Sequence, residues 1–284
     1  MVEGSCCSMK SIISFWLLFW LICLAGNALA GTGETQGQQD RVITIHHLDK
    51  RGGQGKLVKL TLPQLEAMGG QRIGSAYFDR AMDYQGSRFY AISFASLLDR
   101  FDPDRLGDAV LLNCVDDYQG ILSVEEIRRY DLQLATQIEV KTGLKVPSWL
   151  NPLLVLVPNG VSAPFQEKFI TANIRELKFV NRADYYEPLI SVAQKFPGVE
   201  KGFAAYKNNC QFCHSLQGVG GNKGGRLIKK YRFSVASQRQ RFKSDFAHFH
   251  NKHNADKQNV EQFISQKDLL EIEKFLEAIS KERS

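Results

Sequence analysis

The segment NNCQFCHSLQGVGG, residues 208–221, contains the motif that most restricts the class of protein to which this 284-residue chain can belong. Cys210 and Cys213 stand three residues apart, and His214 follows directly. At this spacing two thiols can add across the two vinyl groups of one haem while the adjacent imidazole binds the iron. The alternatives are a chance pair of cysteines, a thioredoxin-like redox pair or half of a zinc site. A zinc site needs a second ligand pair and no second C-x-x-C occurs, so the motif favours covalent haem.

The residues on both sides of the motif resemble c-type cytochromes, from GVEKGFAAYKNN through the motif to the glycine-rich SLQGVGGNKGG (198–225). The resemblance implies an all-α cytochrome c domain over residues 196–284 with one covalent haem c. The two cysteines would form thioethers, and His214 would be the proximal axial ligand of the iron. Gly202 and the aromatic residues near it would pack against the C-terminal helix.

An amphipathic helix at the end of the chain is predicted from the residues alone. Apolar residues recur there at three- and four-residue steps, namely Leu269, Ile272, Leu276 and Ile279. Ser265 and Asp268 form an S-x-x-D pattern, which is typical of a helix start because each side chain caps a backbone amide. Such a stripe usually packs on a core.

A second axial ligand has to come from outside the motif. No methionine follows it, since all four precede Cys210: Met1, Met9, Met68 and Met82. The stretch DFAHFHNKHN instead supplies three imidazoles, which bind haem iron well in their neutral form. We predict His250 as the distal ligand, then His253, then His248, and rank His46 and His47 below them. If the stretch is only a solvated histidine-rich loop, the iron would be five-coordinate or bound by lysine or water.

The N-terminal apolar run SIISFWLLFWLICLA (11–25) is short for a membrane span. With small residues at Ala28 and Ala30, it predicts a secretory signal peptide over residues 1–30, cleaved near Ala30. An uncleaved membrane anchor is the alternative. Cleavage would leave Cys114 as the one cysteine outside the motif, so no structural disulfide is expected. Export agrees with the motif because haem is attached outside the cytoplasmic membrane, and the cytochrome resemblance implies a bacterial periplasm.

Strand-like and helix-like runs alternate between a polar, glycine-rich linker (31–40) and the cytochrome-like segment. The runs that predict strands are RVITIHHLD, KLVKLTL, RFYAIS, AVLLNC, PLLVLVP and IRELKFV. Helices are predicted from Thr61 or Pro63, over FASLLDRF and after Ser123. The pattern indicates an α+β domain over residues 41–190, with KFPGVE at its junction.

The order of these pieces resembles the sulfite-oxidase-like, molybdopterin-binding fold, through LTLPQLEAM, YQGSRFYAISFASLLDRF, LLNCVDDYQGILSVEEI, PLLVLVP and IRELKFV. The resemblance implies that Cys114 lies where related enzymes supply a thiolate to molybdenum. The sequence departs from that family, because VDDYQG replaces an A-G-N type turn and no basic, histidine-containing cluster marks a pterin phosphate site. We therefore expect a domain without molybdenum cofactor, in which Cys114 is a small buried apolar residue.

The net charge of +6 is concentrated in the C-terminal part. From Val199 onward, 16 lysines and arginines stand against 9 acidic residues, a net of +7. The stretch 223–243 holds eight basic residues and no acidic one. The simplest interpretation is a solvated basic face. The functional interpretations are pairing of Arg226 or Arg232 with haem propionates and steering towards a partner with an acidic docking face.

These patterns together predict a periplasmic c-type cytochrome that carries single electrons between redox proteins rather than an enzyme. Because a second imidazole replaces the thioether associated with high potentials, we predict a lower reduction potential than in a His/Met cytochrome. Two alternatives remain: a molybdopterin-dependent oxidoreductase that passes substrate electrons to its own haem, and a haem-based sensor with an open sixth position. Nucleic acid is not an expected partner of an exported protein, and a membrane is one only if the signal stays uncleaved.

Overall fold

Apolar and β-branched runs between residues 42 and 180 form nine β-strands in the computed structural model, which describes Met1 and residues 41–48, 54–102, 106–141, 143–144, 146–251 and 260–282. The strands are β1 (Val42–Leu48), β2 (Gln54–Thr61), β3 (Gln71–Gly74), β4 (Arg88–Ser93), β5 (Ala109–Cys114), β6 (Gln119–Ser123), β7 (Gln133–Glu139), β8 (Leu154–Leu156) and β9 (Ile174–Val180). Apart from Met1, the predicted signal peptide (1–30) and the linker (31–40) lie outside the described residues.

The described residues also form nine α-helices, so the chain is a mixed α and β protein, as the sequence predicted at this coarse level. The helices are α1 (Leu62–Glu66), α2 (Ala76–Met82), α3 (Phe94–Phe101), α4 (Val124–Arg129), α5 (Arg182–Lys195), α6 (Glu200–Asn209), α7 (Leu227–Lys230), α8 (Ala236–Phe249) and α9 (Gln266–Glu282). Two short 3-10 turns cover Glu167–Ile170 and Val260–Phe263. Within the described ranges, none of the helices combines the length and the apolar character that crossing a membrane requires.

The strands make two sheets, with orders β2-β1-β9-β5-β6 and β3-β4-β7-β8. The pairing of β1 with β9 is parallel, and the other neighbouring pairs are antiparallel. Along β5, Val110 and Leu112 belong to the core that the two sheets share. Ala109 and Leu111 belong to a second core, which contains the C-terminal helices, because successive side chains of a strand point to opposite faces. The sheet is therefore buried on both faces at β5, which explains the uninterrupted apolar run AVLL.

Most of the predicted elements are confirmed at the residue level. The six strand-like runs form β1, β2, β4, β5, β8 and β9. Thr61 caps α1, and Ser123 caps α4 through a reciprocal bond with Glu126, as their sequence patterns predicted. Ser265 and Asp268 cap α9 in the same way, with amide-to-side-chain distances of 3.1 Å.

The sequence patterns missed β3, β6 and β7, which are short or polar strands. The segment after the β5 turn was expected to lead straight into a helix, but QGILS first forms β6 and pairs with β5. Its side chains are nearly all buried, so the alternation that marks a half-exposed strand is missing.

Helix α6 packs on α9 through the glycine and the aromatic residues that the sequence indicated. A Cβ added at Gly202 would lie 2.0 Å from the carbonyl oxygen of Glu271, so the two backbones approach too closely for any side chain there. The rings of Phe203 and Tyr206 lie 5.3 and 5.8 Å from that of Phe275, measured between ring centres. The predicted contact between α6 and the C-terminal helix is thus confirmed.

The predicted segments 41–190 and 196–284 share the second apolar core within a single compact unit that begins at Val42. The side chains of α5, α6 and α9 meet those of β5, β6 and β9 in this core. Their independence as two domains stays a prediction.

Gly202→Ala is expected to lower the free energy of unfolding by about 1–3 kcal/mol, because the added methyl group forces α6 away from α9. Denaturant unfolding would measure this change. Lys201→Ala is the matched control, since Lys201 is exposed on the same helix. A Gly202→Ala protein as stable as the parent would contradict the close contact, because alanine otherwise favours a helix over glycine.

Candidate functional site

Cys210, Cys213 and His214 lie on one helical turn that continues α6. The backbone amides of Cys213 and His214 both donate to the carbonyl oxygen of Cys210, over 3.2 and 3.0 Å. Residues three and four positions apart share a face of a helix, so the two sulfur atoms and the imidazole project in the same direction. The Tyr206 hydroxyl donates a hydrogen bond to the carbonyl oxygen of His214 and fixes the end of the turn.

The His214 ring is positioned by two glycines that follow it in the chain. Its Nδ1 atom lies 2.8 Å from the carbonyl oxygen of Gly225. A carbonyl only accepts, so Nδ1 carries the hydrogen and Nε2 keeps its lone pair. A Cβ at Gly224 would lie 2.3 Å from the imidazole Cε1, so a side chain there would displace the ring. Burial lowers the pKa of His214, which favours the neutral ring that a metal requires.

A cavity of about 400 Å³ lies beside this turn, and all three motif residues line it. We call it the large cavity. Much of its remaining wall is apolar or aromatic and comes from α7, α8 and α9. Helix α8 contributes Phe242, Phe246 and His250, which stand four residues apart and therefore share one face.

His250 lines the same cavity as the motif residues. The centres of the His214 and His250 rings are 6.2 Å apart, and the ring planes are nearly perpendicular, at 83°. The residues before His250 are helical, because α8 covers Ala236–Phe249 and His250 is its C-cap. The Phe246 ring packs beside His250 at 5.3 Å between centres.

The other histidines occupy different environments. His248 is exposed and does not line the large cavity, and His253 lies outside the described residues. His46 and His47 lie on β1, where His46 Nε2 is 2.5 Å from a carboxylate oxygen of Glu176. The His47 ring packs on Phe101, 5.6 Å between centres. Of the candidates for a distal ligand that the structure describes, His250 is the one whose ring lies beside that of His214.

Cys210 and Cys213 are free thiols at the wall of the large cavity rather than a disulfide. Burial raises the pKa of both, so the thiols are protonated at neutral pH. Within the described part of the chain, no group of three or more histidine, cysteine or acidic side chains is placed to hold a metal ion. The described residues therefore offer this cysteine pair no zinc site.

Lysines, rather than the arginines considered above, line the large cavity. Lys223 and Lys230 lie at its wall, whereas Arg226 and Arg232 are exposed elsewhere. Lys230 Nζ is 3.2 Å from Asp245, whose carboxylate also accepts a 2.6 Å hydrogen bond from the Tyr231 hydroxyl. Much of the basic stretch is thus engaged in local ion pairs. The other three cations of the stretch, Arg226, Lys229 and Arg232, are exposed.

The turn between β5 and β6 packs directly on the motif. The amide of Gln119 donates to the carbonyl oxygen of Phe212 over 3.0 Å, and the amide of Asn222 donates to that of Asp117 over 3.0 Å. Tyr118, from the same turn, lines the large cavity. The ammonium of Lys223 lies 4.4 Å from the centre of its ring. No specific sequence signal pointed to Tyr118, because the turn matched only a diffuse family resemblance.

Cys114, the residue that the sulfite-oxidase-like resemblance singled out, lies at the end of β5. Its side chain is 1% exposed and belongs to the apolar core between the two sheets. Its Sγ lies 3.9 Å from the carbonyl oxygen of Leu112. This burial agrees with the prediction of a small apolar residue.

A second, small cavity of about 10 Å³ lies behind the β5–β6 turn. Glu167 faces it with a side chain that is 2% exposed, and neither carboxyl oxygen has a hydrogen-bond partner within the described residues. Burial raises the pKa of this carboxyl from its ordinary value of 4.5 to about 8. Sequence reasoning missed Glu167, because a lone acidic residue on a short 3-10 turn carries no periodic signal.

No protein-family model and no curated protein matches this chain. The two family resemblances therefore rest on the motifs quoted above.

Glu167→Gln is expected to change how stability depends on pH. The folded protein holds a proton on Glu167 up to about pH 8, whereas the unfolded chain loses it near pH 4.5. The parent's free energy of unfolding should therefore fall between these pH values, by on the order of 3–5 kcal/mol relative to the glutamine variant. Denaturant unfolding at several pH values would measure the difference.

Glu187→Gln, an exposed carboxylate on α5, is the matched control and should follow the parent curve. Parallel curves for the parent and Glu167→Gln would show that Glu167 ionises normally in the folded protein.

Proposed function

We propose that this protein is a c-type cytochrome that binds one covalent haem in the large cavity and carries single electrons. The observation that carries the proposal is that two imidazoles, with ring centres 6.2 Å apart, line a cavity whose wall also bears both cysteines of the C-x-x-C-H motif. The cavity is largely apolar, as a haem site has to be. The proposal also requires the thiols to be free, and they are.

The distance between the two imidazoles fits a shared metal ion. A metal–imidazole bond is about 2.0 Å long, and the bonded nitrogen is roughly 1 Å from its ring centre. Two imidazoles on opposite sides of one ion would thus have ring centres about 6 Å apart. The centres of His214 and His250 are 6.2 Å apart.

Each residue has a defined part in holding the group. Cys210 and Cys213 would each add S–H across one vinyl group, with sulfur bonding to one carbon and hydrogen to the other. His214 would coordinate the iron through Nε2, because the Gly225 carbonyl holds the hydrogen on Nδ1. His250 would coordinate from the opposite side. When bound, the haem supplies a one-electron couple between ferric and ferrous iron.

The lysines at the large cavity give the haem site a positive rim. Lys223 and Lys230 are partly exposed there. They would attract haem propionates, the role first considered for Arg226 and Arg232. The surplus of basic residues in this part of the chain would steer an acidic redox partner towards the haem edge.

The rest of the chain fits the same proposal. Residues 1–30 would direct export to the periplasm and be removed there. Residues 196–284 would form the cytochrome c domain, and residues 41–190 a sulfite-oxidase-like domain without molybdenum cofactor. The α+β segment supplies Tyr118 and the β5–β6 turn to the haem site, so its role would be to shape that site and to present it to partners.

His250→Ala is expected to open the sixth coordination position of the iron. The reduced parent protein should show a low-spin absorption spectrum that carbon monoxide does not change, because both axial positions hold imidazole. The reduced variant should bind carbon monoxide at once. His248→Ala is the matched control and should behave as the parent, because His248 is exposed and outside the cavity.

A parent protein that binds carbon monoxide as quickly as the variant would contradict ligation by His250. Such a result would favour a haem-based sensor with an open sixth position over an electron carrier.

The midpoint potential is expected to lie below the range of His/Met cytochromes, because imidazole stabilises ferric iron better than a thioether does. A spectroscopic redox titration of the purified parent protein measures it. A potential within the His/Met range would contradict two imidazole ligands.

A further inference from the structure

The small cavity behind the β5–β6 turn is lined by polar atoms that lack protein partners within the described residues. Both carboxyl oxygens of Glu167, Oδ1 of Asp116 and Nε1 of Trp149 are buried in this way. All three residues line the same cavity of about 10 Å³. That volume is at the lower limit for one water molecule, and a site with several polar groups and room for water is usually hydrated. The arrangement is a built polar site rather than a packing defect, because apolar cavities carry no such groups.

One layer of side chains separates the small cavity from the large one. Tyr118 lines both cavities, and Phe212, which lines the small one, stands between the two motif cysteines. The negative charge of an ionised Glu167 acts on the two cysteines at the wall of the large cavity. Burial chiefly raises the pKa of Cys210 and of Cys213, and the charge of Glu167 raises both further. An added charge in the large cavity would act on Glu167 in return, because the interaction between two sites is reciprocal.

We propose that Glu167 is a redox-linked proton-binding site, which takes up a proton when the neighbouring haem iron is reduced and releases it on oxidation. This inference rests on the proposed function. The balance is one electron from the donor protein to the iron and one proton from water to a Glu167 carboxylate oxygen. The charges of the added electron and the added proton cancel, so the net charge of the buried region does not change. A change of net charge in a low-dielectric interior would be costly.

The neighbouring carboxyls, Asp116 and Glu126, are held in ion pairs with lysines. Glu167 is therefore the carboxyl whose ionisation we expect to respond to a charge in the large cavity. Asp116 faces it from the β5–β6 turn, but its Oδ2 atom pairs with Lys223 at 2.7 Å. Lys168, on the same 3-10 turn, pairs with Glu126 at 2.5 Å. Tyr118, Cys210 and Cys213 are the other titratable groups nearby. Burial raises the pKa of each. Once the two cysteines are thioethers, they have no thiol proton and do not titrate.

Asp116 gives the small cavity a connection to solvent. Its side chain is 24% exposed while Oδ1 points into the cavity. Asp116 would therefore be the route by which a proton passes between bulk water and the small cavity.

The test is the midpoint potential of the haem-loaded protein between pH 6 and pH 10, for the parent, Glu167→Gln and Glu187→Gln. The parent potential is expected to fall as pH rises through the region around pH 8. Full coupling of one proton to one electron corresponds to ~59 mV for a tenfold change in proton concentration. The Glu167→Gln potential should lose this dependence, and Glu187→Gln, which changes an exposed carboxylate, should keep it. A dependence that survives in Glu167→Gln, or a parent potential that is flat throughout, overturns the proposal.

A second readout uses the parent protein alone and does not depend on the variant folding. Redox-difference infrared spectra near pH 8 should show a protonated-carboxyl vibration that appears on reduction. Its absence would overturn the proposal. Intact-protein mass spectrometry separates this failure from a failure of the proposed function: a chain without the added mass of one haem contradicts the cytochrome, whereas a haem-loaded chain with a pH-independent potential contradicts the role of Glu167 only.

Discussion

Two backbone hydrogen bonds between the β5–β6 turn and the C-x-x-C-H segment fix the position of the motif relative to the five-stranded sheet. They join Gln119 to Phe212 and Asn222 to Asp117, each over 3.0 Å. The turn reaches this geometry because Asp117 adopts a left-handed backbone, with φ of 64°. Gly221 allows the approach, since a Cβ there would lie 1.9 Å from the carbonyl oxygen of Phe212. The wall that carries both cysteines is thus set by main-chain atoms, which rearrange less readily than side chains.

The opposite wall of the large cavity has a different origin. It is the apolar face of α8, which is held by aromatic contacts, by ion pairs from Arg239 and Lys243 to Glu273, and at its end by a backbone hydrogen bond. The ring of Phe242 packs on those of Tyr231 and Phe233, at 5.6 and 5.3 Å between centres. The amide of Glu261 donates to the carbonyl oxygen of His250 over 3.2 Å, and the His250 ring packs beside Phe246. The ring of His214 is instead bonded to the carbonyl oxygen of Gly225.

The sequence alone could predict those features of the fold that depend on residues close together in the chain. Capping pairs such as Ser265 with Asp268, and the glycine at position 202, specify their contacts through a few neighbouring residues. His250 ranks ahead of His253 and His248 as a candidate from the sequence. The pattern gives no physical reason for preferring it to His248, because both lie near the end of one helix and only helix rotation separates them. Tyr118 and Glu167 could not be predicted as parts of the site. Their positions follow from the packing of the five-stranded sheet on the helices, which involves residues distant in the chain.

The parallel pairing of β1 with β9 has a consequence for the order of folding. Thr44 pairs with Glu176, so the sheet closes only when residues from both ends of the α+β segment meet. Pairing across so long a loop carries a large entropy cost and is a slow step. During synthesis, the sheet on which the C-terminal helices pack cannot be complete until β9 has emerged, and the C-x-x-C-H segment follows it within forty residues. The motif is thus synthesised soon after the last strand of the sheet on which its helices pack.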